Sequence, residues 1–163
     1  MESRSPLRGS DARNDDFRGR VDALHAWRDG GALGARRLGA DPGALAAIEH
    51  AARGWRKRLD VPGSASAVPD SHAVGDLLLH AFPDRVARRD HANPLRYQLA
   101  NGRGARLNEH TALHGEPWLI ALDLRLDLRD SQILAAAPFD PDLLQRDYPQ
   151  HFSTSRLVQW NSE

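Results

Sequence analysis

The hydrophobic repeat of this sequence changes at Pro83 from the period of a helix to the period of a strand. Before that proline, the apolar residues of 74–82 recur at helical spacing. Pro83 ends the helix because it lacks an N–H donor and crowds the preceding turn. After it, Leu95, Tyr97 and Leu99 alternate with polar residues, and Asn101-Gly102 predicts a two-residue type I′ turn. Residues 71–107 therefore predict a helix followed by strands and a hairpin.

Two further helices are predicted upstream of this stretch. The first covers 15–29 and is stopped by Gly30-Gly31, with a loop over 30–40. The second begins at Asp41-Pro42, since Asp41 can accept from the free amides of the first turn. Its apolar residues fall on one stripe: Leu45, Ile48, Ala52, Trp55 and Leu59. Gly54 weakens this helix by about 1 kcal/mol relative to alanine, which indicates a close helix crossing.

The segment 61–70 predicts a linker because it contains two prolines, a glycine and two serines. It divides a helical segment, 1–60, from a mostly β segment, 71–163. In the second segment, strands are predicted at 118–126, 131–137 and 155–160, with a short helix starting at Asp140-Pro141. About five short strands with brief connections favour a small barrel over a sandwich.

Composition narrows the cellular setting. The chain has no cysteine, so a disulfide framework and a thiolate zinc site are excluded, which suits a reducing cytosol. No apolar run approaches the roughly 18 to 20 residues that span a bilayer, and the first residues lack the apolar core of a signal peptide. We therefore predict a cytoplasmic protein with no membrane partner.

Residues suited to catalysis do not form a recognisable set. Lys57 is the only lysine and lies outside any glycine-rich phosphate loop. His110 and His114 have a spacing found in zinc sites, but Gly115 and Pro117 argue against a helix there, and no third ligand is evident. We therefore predict no catalytic residues, no metal and no cofactor.

Positive charge is concentrated around the predicted hairpin. Between positions 83 and 107 the six arginines face only two aspartates, so six minus two leaves four positive charges. Such a face could follow a single-stranded backbone, with Tyr97 and Trp118 available for stacking. The alternative is a solvated barrel surface with both aromatic rings in the core, because they share the apolar alternation.

Several runs of residues resemble a known family. LLLHAFPDRVARRD, RYQLANGRGARLNE, HGEPWLIALDL and ILAAAPFD resemble the C-terminal region of bacterial HrpB-type ATP-dependent helicases, relatives of the DEAH-box RNA helicases. The earlier runs SPLRGSDARNDDFRGRVDALHAW and GADPGALAAIEHAARGWRKRL resemble the helical segment that precedes that region. The resemblance covers about residues 6–160.

The resemblance implies an architecture. The family has two RecA-like motor domains, then a winged helix, a helical bundle and an OB-like barrel. Positions matching the ATPase residues are absent here, so we expect no ATP hydrolysis by this chain alone, although it resembles a fragment of a hydrolase. The expected fold is α+β, with N-terminal helices followed by a small OB-like antiparallel β-barrel and a short C-terminal helix. Its end falls where the family continues, so we expect a piece of a longer protein.

The resemblance also implies partners: single-stranded RNA or DNA, and the motor domains of the parent helicase. Charge and turn position then give the predicted nucleic-acid-binding residues, which are Arg85, Arg88, Arg89, Arg103 and Arg106. The competing interpretation is a structural or protein-interaction module that packs on the motor domains without contacting nucleic acid.

Overall fold

The computed structural model describes residues 15–61 and 70–151. Four α-helices and five β-strands are present in these ranges. In chain order they are α1 Arg18–Arg37, α2 Pro42–Arg58, α3 Ala73–Ala81, β1 Val86–Arg89, β2 Arg96–Leu99, β3 Gly104–Arg106, β4 Trp118–Arg125, β5 Asp130–Pro138 and α4 Asp142–Asp147. The predicted tail, most of the predicted linker and the predicted strand at 155–160 lie outside the described residues.

The five strands close into a barrel in the order β1-β2-β3-β5-β4. Neighbouring strands are antiparallel except β3 and β5, which are parallel. Alternate side chains point inward and fill the interior; the largest of them include Tyr97, Leu107, Leu119 and Ile133. The α+β fold with an OB-like barrel is therefore confirmed.

Helices α3 and α4 cover one side of the barrel. Leu79 of α3 and Leu143 of α4 pack with Ile120 and Phe139 in a second apolar cluster outside the barrel wall. The approach of α3 requires Gly75, because a Cβ there would overlap the carbonyl oxygen of Pro138 and lie 2.6 Å from its carbonyl carbon. This side of the barrel is consequently closed to large ligands.

Helices α1 and α2 form a hairpin with a small core of Ala23, Ala35, Ala40 and Leu45. The predicted end of a helix at Gly31 is confirmed, because this residue has φ 56° and ψ −144°, which are not helical values. The chain then resumes helical geometry, and a second segment of α1 continues to Arg37. The predicted loop over 30–40 is therefore wrong for residues 32–37, which are helical, and holds at Gly31 and at residues 38–40. Glycine tolerates this positive φ at little cost, and the chain turns sharply there between two helical segments, so that a Cβ at Gly34 would overlap the Ala26 carbonyl oxygen.

The apolar stripe predicted on α2 is only partly used. Leu45 is buried against α1, whereas Ile48, Trp55 and Leu59 are exposed. The other buried residue of α2 is Glu49, which lies one turn from Leu45 and receives hydrogen bonds from arginine side chains. The close crossing predicted at Gly54 is also wrong, because a Cβ there would meet open space.

The hairpin joins the barrel at its first described residues. Asp16 forms a parallel bridge with Ala136 of β5, and the Phe17 amide donates to the Ala136 carbonyl at 2.8 Å. Next to this bridge, Asp15 is buried, and neither of its carboxylate oxygens forms a hydrogen bond of standard geometry with a described residue. Division of the chain near residues 61–70 remains a prediction.

Candidate nucleic-acid interface

The outward side chains of β1, β2 and β3 form the part of the barrel wall that α3 and α4 leave open. We call the surface formed by Arg88, Arg96, Gln98, Arg103 and Arg106 the β1–β3 face. Strand alternation positions the four members that lie on strands, because Ala87, Tyr97 and Ala105 point inward and their neighbours must point outward; Arg103 lies in the loop before β3. All five members of the face are exposed.

The register places these side chains in two rows. Arg88 of β1 lies opposite Gln98 of β2, and Arg96 of β2 lies opposite Arg106 of β3. Like charges directly opposite each other repel, so the second row requires a neighbouring negative charge.

Arg103 is held by the loop between β2 and β3. The Leu99 amide donates to the Arg103 carbonyl at 2.9 Å, and the Arg103 amide donates to the Asn101 side chain at 3.1 Å. The Arg103 side chain is left exposed on a fixed backbone. Only Gly102 has positive φ here, at 83°, so the predicted type I′ turn is wrong. The loop has instead the form of a turn followed by a left-handed glycine.

Arg85 and Arg89 are engaged by backbone carbonyls. The Arg85 guanidinium donates to the Leu122 carbonyl at 2.8 Å and lies over the Phe82 ring, 5.8 Å from its centroid. Arg89 donates to the Gly115 carbonyl. Of the five predicted binding residues, the structure thus leaves Arg88, Arg103 and Arg106 exposed on the β1–β3 face, whereas Arg85 and Arg89 are held by backbone carbonyls.

An acidic residue that sequence reasoning missed partly neutralises this face. Asp130 accepts from Arg96 at 3.0 and 3.1 Å, and Asp90 lies 3.9 Å from the same guanidinium. The four arginines of the face minus these two aspartates leave a net charge of two positive units. Asp130 is distant from Arg96 in sequence, so only the parallel pairing of β3 with β5 brings them together.

The surroundings of Arg106 are more acidic still. A recess of about 350 Å³ beside it is lined by Arg106, Glu109, His110, Asp127 and Asp130 together with Leu107, Asn108 and Gln132. Three carboxylates around one guanidinium disfavour a phosphate at this end. The strongest positive potential on the face therefore lies near Arg88 and Arg103.

Of the two aromatic residues proposed for stacking, one is inside the barrel and the other lies opposite Arg88 at the border of this face. Tyr97 is buried in the barrel, where its hydroxyl donates to the Glu116 carbonyl at 2.7 Å and burial raises its pKa to about 12. Trp118 is half-buried and meets Phe139 edge-on, with ring centroids 6.3 Å apart. The core alternative is confirmed for Tyr97, and Trp118 belongs to the cluster under α3.

Metal ligands do not converge in the described parts of the chain. Within 15–61 and 70–151, no three histidines or acidic residues come together as metal ligands, and His110 and His114 are no exception.

None of the helices described is long and apolar enough to span a bilayer.

Comparison with known proteins finds a helicase relative. No protein-family model matches the chain. The curated ATP-dependent RNA helicase HrpB of Escherichia coli K12 is 42% identical over 107 residues, which are 64% of this chain and 13% of that protein.

Two solved structures of HrpB from E. coli are also similar to the chain. The structure described as a DExH-box NTPase is 35% identical with a TM-score of 0.53, and the match covers 85% of this chain and 17% of that one. The structure described as a DEAH/RHA helicase is 28% identical with a TM-score of 0.49, covering 81% and 17%. The chain spans less than a fifth of these relatives. The predicted resemblance is confirmed: in sequence and fold, this chain is similar to a small part of the HrpB helicase.

Proposed function

We propose that the chain is a non-catalytic accessory module of an ATP-dependent, HrpB-type helicase, and that it helps to bind single-stranded nucleic acid beside the motor domains. Similarity to HrpB supports the helicase context. The observation that carries the binding role is the β1–β3 face, where outward arginines occupy the barrel side that no described helix covers.

Binding at this face is electrostatic. Arg88 and Arg103 are exposed, and no hydrogen bond or ion pair joins either guanidinium to a described residue. Guanidinium groups donate to phosphate oxygens in a planar fork, so these two can each hold one backbone phosphate. Gln98 lies opposite Arg88 and offers an amide to a base or a sugar. Trp118 lies opposite Arg88 but is half-buried against Phe139, so backbone contacts must supply most of the affinity.

The proposed order of contributions follows from the partners of each arginine. Arg88 and Arg103 contribute most. Arg106 contributes less because carboxylates line the recess beside it. Arg85 and Arg89 contribute least because each already donates to a backbone carbonyl.

A second function is favoured by exposed apolar side chains away from this face. Leu126 and Leu128 are exposed on the connection between β4 and β5, and Leu77 is exposed on α3. Contiguous apolar patches are typical of surfaces that pack against another protein, and Leu126 and Leu128 lie two positions apart on one connection. In this alternative the module docks on the motor domains, and the arginines are solvated.

The two functions are separated by charge reversal on the β1–β3 face. A labelled single-stranded oligonucleotide is titrated with the chain at several salt concentrations, using Arg88→Glu with Arg103→Glu. We expect at least a tenfold loss of affinity at low salt. The salt dependence should also become shallower, by about 0.7 in log–log slope for each phosphate of the single strand that the variant no longer binds.

The matched control is the pair Arg129→Glu and Arg37→Glu, which makes the same change in net charge at exposed arginines outside the face. Equal losses in both pairs would show that only overall charge matters. No binding by the folded wild-type chain at low salt would favour the packing alternative.

A further inference from the structure

The helical hairpin holds a second cationic cluster, separate from the barrel. Arg28 of α1 and Arg53 and Arg56 of α2 converge on the carboxylate of Glu49. Arg28 donates through two nitrogens to Oε2 at 2.8 and 2.7 Å, while Arg53 and Arg56 donate to Oε1 at 3.1 and 3.2 Å. One carboxylate thus fixes the position of three guanidinium groups.

The charge of this cluster is unbalanced. Three arginines minus one glutamate leave two positive charges. The Glu49 side chain is only 7% exposed, so it can accept little more from solvent, whereas Arg53 is 70% exposed. Three guanidinium groups offer fifteen N–H donors, and four side-chain hydrogen bonds join them to Glu49. No other hydrogen bond of these groups to a described residue is present, so most donors are available.

The available donors border a recess. It has a volume of about 880 Å³ and is lined by Trp27, Arg28, Gly31, Ala32, Glu49, Arg53 and Arg56. Gly31 leaves one wall open, since a Cβ there would meet no atom within 4 Å. Trp27 is half-buried in the hairpin core and gives the recess an apolar side. The recess has room for a phosphate group and for an attached sugar.

We infer that this recess of the α1–α2 hairpin is a binding site for a doubly charged phosphate group, such as a phosphate monoester. The net charge of two positive units matches a dianion, whereas an internal phosphodiester carries one negative charge. Guanidinium forks match phosphate oxygens, and arginines that Glu49 already orders lose little conformational entropy on binding. This inference does not rest on nucleic-acid binding by the barrel.

The test uses the full chain labelled with ¹⁵N and follows the arginine Nε–Hε signals. Pyrophosphate, inorganic phosphate, a nucleoside 5′-monophosphate and an oligonucleotide without terminal phosphates are added separately, at constant ionic strength. We expect saturable shifts of the Arg28, Arg53 and Arg56 signals with pyrophosphate, inorganic phosphate and the monophosphate. Larger signal shifts with the monophosphate than with inorganic phosphate would indicate that the sugar or the base also contacts the recess.

Variants separate charge from geometry. Arg53→Gln removes the most exposed member and should weaken pyrophosphate binding at least tenfold. Arg53→Lys keeps the positive charge but lacks the planar guanidinium group, so it should recover only part of the lost affinity. The control is Arg37→Gln, which removes an exposed arginine of α1 outside the recess and should leave the affinity unchanged. The cation–π contact of Arg58 with Trp55 provides an internal reference signal.

Three outcomes would overturn the inference. The first is a uniform shift of all arginine signals without saturation, which indicates screening alone. The second is equal binding by Arg53→Gln and wild type. The third is a response confined to the oligonucleotide without terminal phosphates, which would assign the recess to a strand backbone. None of these outcomes depends on Arg88 or Arg103, so failure here and failure of the barrel proposal remain distinguishable.

Discussion

Arg96 and Asp130 form a two-point ion pair between β2 and β5, which are separated in the barrel by β3. The pair passes over Gly104, where a Cβ would lie 2.9 Å from the Asp130 Cγ and 3.2 Å from an Arg96 Nη. The absence of a side chain at Gly104 therefore permits the pairing. As a consequence, a residue of β5 controls how much positive charge the β1–β3 face presents.

Asp130→Asn should strengthen binding of a single-stranded oligonucleotide. The change removes the strongest partner of Arg96 and raises the net charge of the face by one unit. We expect a gain of about threefold to tenfold at low salt and a steeper salt dependence, measured by fluorescence anisotropy. The stability cost should stay below about 1 kcal/mol because the pair is exposed.

The control for this experiment is Asp29→Asn, which makes the same charge change on α1 outside the face. An affinity that is unchanged in Asp130→Asn, or raised equally in Asp29→Asn, would contradict a role for the pair in setting the charge of the face.

Gly75→Ala should destabilise the barrel side of the molecule. The added methyl group would meet the Pro138 backbone and lie 3.0 Å from the Phe139 Cβ, so α3 would have to move away from β5. Overpacking of this kind costs about 1–3 kcal/mol, which urea unfolding measures as a lower midpoint.

The matched control is Gly54→Ala, because a Cβ at Gly54 would meet no atom within 4 Å. It should raise stability by up to about 1 kcal/mol, because alanine is the better helix former. Equal effects of the two substitutions would show that the contact between Gly75 and Pro138 does not limit the packing of α3.

Glu49→Gln should lower stability at neutral pH by about 1–3 kcal/mol, since four charge-assisted hydrogen bonds weaken together. Burial alone would raise the pKa of Glu49, but hydrogen bonds from Arg28 and Arg53 and their charges together hold it below its usual range. The stabilisation by Glu49 is therefore present above about pH 4.3 and is lost as the pH falls through the lowered pKa.

The difference between wild type and Glu49→Gln should accordingly narrow in unfolding experiments below that pH. A difference that stays constant from pH 7 to pH 3 would show that the charge of Glu49 does not stabilise the hairpin. Thermal unfolding followed by circular dichroism at each pH measures it.

Asp15→Asn should raise the stability of the folded chain at neutral pH, whereas Glu49→Gln lowers it. Burial raises the pKa of Asp15, and the neighbouring Thr111 hydroxyl and Ala112 amide offset this only in part. For a carboxyl whose folded pKa is raised, ionisation costs stability above that pKa, and the cost disappears below the unfolded value of about 3.9.

The Asp15→Asn chain should therefore be more stable than wild type at pH 7 and equal to it near pH 3. Each unit of pKa shift corresponds to about 1.4 kcal/mol, so the difference measures the shift directly. A variant less stable than wild type at pH 7 would mean that the Asp15 carboxylate has an anionic role in the fold.

Much of the barrel could be predicted from sequence signals that act within a few residues. The change of period at Pro83 located the boundary between α3 and the strands, and alternation supplied the core alternative for Tyr97, which the structure confirms. Both signals are short-range, because a proline acts on its own turn and alternation follows from strand geometry.

Long-range and orientational features were not predictable in this way. The apolar stripe of α2 does not reveal which residues will meet α1, and the hairpin buries Leu45 with Glu49 while leaving Trp55 exposed. The pairing of Arg96 with Asp130 depends on the parallel contact of β3 with β5. A glycine pair predicts a break at Gly31 but not that the helix resumes after it.

The bridge between Asp16 and Ala136 has a mechanical consequence. Ala136 lies within β5, the strand that also carries Asp130 near its other end. The helical hairpin is therefore joined to the same strand whose first residue, Asp130, adjusts the charge of the β1–β3 face. The same junction also contacts connections of the barrel, since Arg18 lies 3.8 Å from Glu116 and donates to the Ser71 carbonyl at 3.4 Å.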